Sequence, residues 1–252
     1  MITERRHQLI LKQINQQHVV SIKDLIQITG ASESTVRRDL CDLEKQHYLT
    51  RVHGGAKENN TSLLEEPKVA FKAQIKRTAK RLIAQKAAAL VKDGEVIFID
   101  SGTTTKVMIP YLQKRKDLLV LTNSVDNATL LADQQINTIM LGGNLRISTK
   151  AVVGQAVTNY LANCHLDRAF LGTNGFDIQH GFTTPDLEES LVKKAALNNS
   201  SYAYILTDSS KYQQIRFSKF ADLNQAQIIT EHLPVDIATK LAAYTKLLEV
   251  TK

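Results

Sequence analysis

Ser32-Glu33-Ser34-Thr35-Val36-Arg37-Arg38-Asp39-Leu40 decides how the first part of the chain is read. At 100° per residue, Val36, Leu40 and Leu43 share one helical face, while Ser34, Arg37, Arg38 and Cys41 fall on the outer arc. Ser32 stands at the expected N-cap, and Gly30 suits the left-handed end of a preceding helix. A short helix with outward arginines and hydroxyls near its start has the chemistry that major-groove insertion requires. Arginine forks onto guanine O6 and N7 or onto phosphate, and Ser or Thr hydroxyls reach phosphate oxygens. Ser32, Ser34, Thr35, Arg37 and Arg38 are therefore candidate DNA contacts. The competing reading is an ordinary helical surface with solvated arginines. Asp39 points sideways and is expected to pair with a nearby arginine rather than touch a base.

Working outward, Thr3 is placed to cap a helix carrying Leu9, Ile10 and Ile14 to about Gln16. Ser21-Ile22-Lys23-Asp24 reads as a capping box opening a helix that buries Leu25 and Ile28 and stops at Gly30. Downstream, Leu49-Thr50-Arg51-Val52 reads as a strand and His53-Gly54-Gly55 as a tight turn. Three short helices and a small hairpin predict a winged helix-turn-helix, with Arg51 and His53 following the adjacent DNA backbone from the wing. His7, His18 and His47 lack metal-ligand spacing and are expected at the surface.

The full chain has 252 residues and a formal net charge of +7, which permits a polyanionic partner without requiring one. Residues 1–60 hold nine Lys/Arg against seven Asp/Glu, so the predicted DNA reader is nearly balanced. Eight basic and no acidic residues lie between Lys68 and Lys92. That run reads as a solvated helical face or as a linker helix near the same polyanion. At 43% hydrophobic the chain can build a core. Its apolar runs fall far short of the roughly 20 residues a membrane span needs. The opening residues carry no secretory pattern. Cys41 and Cys164 suggest neither disulfide nor metal site. A soluble cytoplasmic protein with no membrane partner and no metal is expected.

Residues 58–73 contain Asn59-Asn60-Thr61-Ser62 and Pro67 and read as a linker between domains 1–57 and 74–252. Ile75, Ala79, Leu82, Ile83, Leu90 and Val91 then give helical periodicity. Candidate strands follow at 96–100, 118–122, 138–141, 168–172, 202–207, 226–230 and 247–250. Helices are expected among them at 125–132, 155–162, 186–198 and 234–244. This alternation predicts an α/β fold, a largely parallel sheet with helices on both faces.

Open parallel sheets bind ligands beyond the carboxyl ends of their strands. Asp100-Ser101-Gly102-Thr103-Thr104-Thr105 is a strand end, a glycine and a hydroxyl-rich turn, suited to cradling phosphate. It lacks the Gly-Lys-Ser/Thr of a P-loop, which disfavours nucleoside triphosphates. Asn123 and Ser124, Gly142 and Gly143, Asn174 and Gly175, and Asp208 to Lys211 follow other strands, where turn chemistry explains them equally well. Arg146 and Lys211 are candidate partners for a phosphate, and Asp100, Asn123 and Asp177 for sugar hydroxyls. Lys150 and Lys193 are expected in solvent. Asp186 reads as a helix cap with Glu189 at the reciprocal position, and Glu189 is kept as a pocket candidate.

Arg37-Arg38-Asp39-Leu40, Leu43-Glu44, Leu49 and Arg51-Val52-His53-Gly54-Gly55-Ala56 together resemble the DeoR family of bacterial transcription regulators, and the resemblance spans almost the whole chain. Family members usually have Gly ending the recognition helix, where this chain has His47. The resemblance implies a winged helix-turn-helix followed by a ribose-5-phosphate-isomerase-like, Rossmann-like sensor domain for a phosphorylated sugar. It also implies operator DNA as partner and a homo-oligomer, dimer or tetramer. Against the isomerase pattern, the paired aspartates become Asn174 and Asp177, followed by Gly181, Glu188 or Glu189, and Lys193. An amide cannot act as the base that moves a proton between carbons, so a retained pocket without catalysis is expected. Residues 171–177 and 181–186 look most like repressors of bacterial fructose operons, which respond to fructose 1-phosphate. Residues 196–199 and 208–211 are also similar to lactose phosphotransferase repressors, which respond to tagatose 6-phosphate.

Overall fold

A computed structural model of the chain describes residues 2–17, 19–45, 48–58, 63–64 and 69–250. The chain divides into two compact units, Met1–Phe71 and Lys72–Lys252. His18, His47, Lys68 and parts of the expected 58–73 linker lie outside the described residues.

The first unit contains α1 (Thr3–Gln17), β1 (Val19–Ser21), α2 (Ile22–Thr29), α3 (Glu33–Lys45), β2 (Leu49–Val52) and β3 (Gly55–Glu58). Its antiparallel sheet runs β1-β3-β2, so the wing hairpin is completed by the strand that precedes α2. Ser21 and Asp24 form the expected capping box, and Gly30 closes α2 at φ 63°. Ser32 Oγ accepts from the Thr35 N–H at 3.4 Å and its carbonyl from Val36, so it caps α3. Ile10, Ile14, Leu25, Val36, Leu40, Leu43 and Leu49 form one buried core. Two expectations shift. Thr3 is the first helical residue, because the Ile2 carbonyl accepts the first bond, from Arg6. Ile28 is 37% exposed, because a helix starting at Ile22 turns residues 22, 25 and 29 inward.

The short helix α4 (Val69–Gln74) spans the division at Lys72, and the second unit continues with α5 (Arg77–Leu90), β4 (Val96–Ile99) and α6 (Thr103–Lys106). Then come β5 (Leu119–Thr122), α7 (Val125–Asp133), β6 (Asn137–Met140), the hairpin β7 (Asn144–Leu145) and β8 (Val152–Val153), and α8 (Gln155–Ala162). β9 (Leu166–Gly172), β10 (Gly175–Asp177), β11 (Gly181–Thr184), α9 (Leu187–Asn198) and β12 (Ser200–Leu206) follow. The unit ends with β13 (Ser218–Ala221), β14 (Gln227–Glu231), α10 (Val235–Ala242) and β15 (Leu247–Val250). All seven expected strands enter one parallel sheet in the order β15-β14-β12-β9-β4-β5-β6. Alternate side chains serve two cores. Ile97 and Ile99 face a layer with Ile83, Ala87 and Leu131 of α5 and α7, whereas Phe98 faces one with Leu161, Val192 and Leu241 of α8, α9 and α10.

The basic run from Lys68 to Lys92 is not a single helix among its described residues. It breaks at Lys76, which takes φ 54°, and α5 then buries Ile83, Ala84, Ala87 and Ala88 against the sheet. A second sheet, β10-β11-β13, is antiparallel and lies where the sequence reading places no strand. There Gly181 sits at φ +66° with the Ala221 carbonyl in the place a Cβ would occupy. Gly181→Ala meets both a left-handed backbone and that carbonyl, so a loss on the order of 1–3 kcal/mol is expected in chemical denaturation. An unchanged midpoint would contradict this register.

Candidate functional site

The outer face of α3 carries Ser34, Arg37 and Arg38, all exposed. Arg37 pairs with Glu33 one turn earlier at 2.7 Å. Arg38 has no ion-pair partner among the described residues. Ser32 Oγ lies 3.0 Å from Ser34 Oγ and 2.9 Å from Thr35 Oγ1, gathering three hydroxyls at the helix start. Arg37, Arg51, His53, Gly54 and Gly55 line one cleft with Ile22, Leu40 and Val52, so helix and wing present a common face. All seven DNA-contact candidates are thus in the helix-wing region, and Cys41 is half-buried beside them.

Asp39 is buried under this face and accepts from Arg6 Nε at 2.5 Å and Arg6 Nη2 at 2.9 Å. That bonding holds the Arg6 guanidinium above its ordinary pKa. His7 Nε2 lies 3.1 Å from the same carboxylate, with its side chain only 14% exposed, so it is not the surface histidine expected. The α1–α3 clamp explains why an acid follows two arginines. It ties α3 to α1 beneath the exposed face.

The second constellation lies at the carboxyl ends of the parallel strands. Strand order reverses between β9 and β4, and a topological switch point of this kind opens a crevice. Asp100, at the end of β4 and 1% exposed, bridges it by accepting from the Gly172 N–H at 2.9 Å. Lys193 of α9 pairs with the same oxygen. Contrary to expectation Lys193 is 4% exposed, because it shares the inward face of α9 with Glu189 and Ala196. Gly102 and Gly172 face each other across the crevice.

The Thr105 hydroxyl donates inward to the carbonyls of Asp100 and Gly102, bracing the turn, and Thr104 is also buried. Ser101 stands beside the Asp100 carboxylate, and Thr103 Oγ1 lies 3.2 Å from Lys80 Nζ. Lys80, absent from the sequence-level candidates, is buried on α5 and also donates to the Lys72 carbonyl. Burial lowers its pKa to about 8, with Asp208 opposing and Lys211 and Lys72 reinforcing the shift. Burial would raise the neighbouring Asp208, but Lys211, Ser210, Lys80 and Lys76 outweigh it and hold that carboxyl below its usual range. Lys80, Thr103, Asp208 and Lys211 therefore form a cationic, hydroxyl-bearing group beside the Gly102 turn. The signal for Lys80 was present: it lies three and seven residues before Ile83 and Ala87, on the apolar face of its helix.

Other candidates separate from this group. Asn123 and Ser124 are buried, with Asn123 Nδ2 donating to the Val152 carbonyl and Ser124 capping α7. The Asn123 side-chain oxygen is buried without a hydrogen-bond partner among the described residues. Gly143 packs against the Val153 carbonyl and Gly175 against Gln214, whereas Gly142 is open. Arg146 is drawn to Asp186 and Glu189. Glu189 accepts from Thr149 at 2.7 Å and does not complete the reciprocal cap, although Asp186 does cap α9. Asn174 accepts from Thr184, and Asp177 holds His180 Nδ1 at 2.8 Å within its own hairpin. Lys150 is exposed and pairs with Asp126, as a solvated lysine does. No His/Cys/Asp/Glu group is arranged for a metal among the described residues, and no described helix is long and apolar enough to cross a membrane.

Residues 6–62 match the DeoR-like helix-turn-helix domain, and residues 75–232 match the DeoR C terminal sensor domain. The chain belongs to the DeoR family. This DeoR regulator is 44% identical over 91% of both chains to the uncharacterized HTH-type transcriptional regulator FruR of Bacillus subtilis. It is 33% identical to the lactose phosphotransferase system repressor of Streptococcus mutans, over 98% of this chain and all of that one. A weaker likeness, TM-score 0.41 at 20% identity over 54% of each chain, is to ribose 5-phosphate isomerase A of Methanocaldococcus jannaschii.

Proposed function

We propose that this DeoR-family regulator represses a sugar-utilisation operon and is released from its operator by a phosphorylated sugar, fructose 1-phosphate. In this reading residues 1–57 bind operator DNA through Ser32, Ser34, Thr35, Arg37, Arg38, Arg51 and His53. Residues 58–73 connect, and residues 74–252 hold the effector. The carrying observation is the pairing, on one chain, of an outward Arg37/Arg38 face with a cationic group, Lys80 and Lys211, at the Thr103 turn. Ser101, Gly102 and Thr103 contribute polar groups near the phosphate, and Asp100 and Asn123 meet sugar hydroxyls. Fructose is favoured by the likeness to a regulator named FruR, and the likeness to lactose phosphotransferase repressors names the competitor.

Non-catalytic sensing is supported by Asn174 standing where an isomerase base is needed and by the engagement of the Asp177 carboxylate with His180. An effector relieves repression only if it binds the DNA-incompetent state better than the competent one. Paired half-sites would call for at least a dimer.

The test is retention of a duplex from upstream of the encoding gene, titrated with a panel of sugar phosphates. Fructose 1-phosphate is expected to release it; release by none removes the sensing role, and release by tagatose 6-phosphate alone removes fructose. The pH dependence is a separate check. Only the charged form of Lys80 attracts phosphate, and that form is lost as pH rises through about 8. Effector affinity is therefore expected to fall about twofold between pH 7 and 8 and by up to about tenfold per unit above it. A flat titration to pH 9.5 would take Lys80 out of the site.

A further inference from the structure

We propose that Glu44 is a positioning residue of the DNA-reading face, tying the wing to the end of α3 and aiming the Arg51 guanidinium; the inference rests on the DNA-binding reading above. Glu44 lies in the last turn of α3, where the helix dipole disfavours an acid. Its presence there calls for a partner, and the structure supplies one twice over. One carboxylate oxygen accepts the Arg51 peptide N–H at 2.8 Å, and the other lies 2.8 Å from Arg51 Nε. Arg51 sits in β2 opposite Ala56 of β3. A single side chain therefore fixes both the position of the wing strand and the direction of its arginine.

A guanidinium carries five N–H groups and one carboxylate engages at most two, so Arg51 keeps donors for an outside acceptor. That acceptor is a DNA phosphate, because Arg51 lines the cleft that Arg37 and His53 also line. As an exposed ion pair Glu44–Arg51 contributes little to stability. Its effect falls on binding, where an arginine already held loses less rotamer freedom when it meets phosphate.

The experiment measures equilibrium binding of the full chain to the upstream duplex, with melting temperature alongside, for wild type, Glu44→Ala, Glu44→Gln, Arg51→Ala, Glu44→Ala/Arg51→Ala and Arg38→Ala. Glutamine keeps an oxygen for the Arg51 N–H but not the charge that aims the guanidinium. Glu44→Ala, Glu44→Gln and Arg51→Ala are each expected to weaken binding by about tenfold with melting unchanged. The double variant should lose less than the product of the two single losses, because the aimed Arg51 guanidinium is lost only once. Glu44→Gln binding like wild type, binding tightened by removing the acid, or losses that multiply in the double variant would each overturn the inference. Loss in Arg38→Ala with none in Arg51→Ala overturns it while leaving the DNA-binding reading intact. No effect of Arg38→Ala, or no retention of the duplex by wild type, removes both.

Discussion

Arg38→Ala is expected to weaken operator retention by about 10- to 100-fold while leaving the melting temperature of the chain unchanged. Its guanidinium is exposed on the outer arc of α3 and is held by no ion pair among the described residues. Among the described residues no partner would have to be displaced before Arg38 met DNA in the proposed reading. Arg37 differs: its pair with Glu33, both side chains more than half exposed, must open or be shared before it meets a phosphate. Such pairs contribute only about 0.3–0.5 kcal/mol, so the competition is mild. Arg37→Ala should still cost less affinity than Arg38→Ala. Binding across ionic strengths separates the two roles Arg38 could have. A phosphate contact lowers the salt slope by about one and weakens all sequences alike, whereas a base contact relaxes preference at one position. Operator retention at the wild-type level in Arg38→Ala would sink the assignment of α3 as the reading helix.

The reading head was legible because every local signal agreed. Apolar spacing at Val36, Leu40 and Leu43, the Ser21/Asp24 box and Gly30 all specify the same three helices. The position of Asp39 even announced a buried partner, although periodicity could not say that Arg6 and His7 would both reach it. The parallel strands were equally visible, since continuous apolar runs mark strands buried on both faces. Their order was not. Pairing of β4 with β9 joins residues about seventy apart, and no local pattern encodes it. Yet that pairing sets Asp100 beside Gly172 and defines the crevice. The antiparallel sheet was hidden for another reason. Its strands are only three or four residues long, and the Gly and Thr of β10 and β11 imitate turns. Lys80 and Lys193 were misjudged because lysine is rarely buried, and that prior outweighed their positions on inward helical faces.

Asp100→Ala and Lys193→Met are each expected to destabilise the second unit by about 3–5 kcal/mol, because each leaves a buried charge without its counter-ion. At about 2–4 °C per kcal/mol for a domain of this size, melting should fall by roughly 6–20 °C in calorimetry. Asp100 would retain the Gly172 N–H but lose its cation; Lys193 would retain, among the described residues, the Phe220 ring 5.8 Å away. The double variant Asp100→Asn/Lys193→Met behaves differently in this account. Its amide oxygen can still accept from Gly172, and methionine fills the space of the lysine stem without a charge. Replacing both members of a buried pair is often close to neutral, so most of the lost stability should return. Single variants that melt like wild type would mean that the two charges are not confined together between α9 and the end of β4. The double variant then divides structure from sensing. It should fold and retain operator DNA, since α3 and the wing belong to the other unit. It should lose most of the response to sugar phosphate, because an amide without the adjacent ammonium is a weaker acceptor for sugar hydroxyls than the carboxylate. A double variant that melts normally and still releases DNA at wild-type effector concentration would take Asp100 out of the effector site and leave the pair as a strut across the switch point.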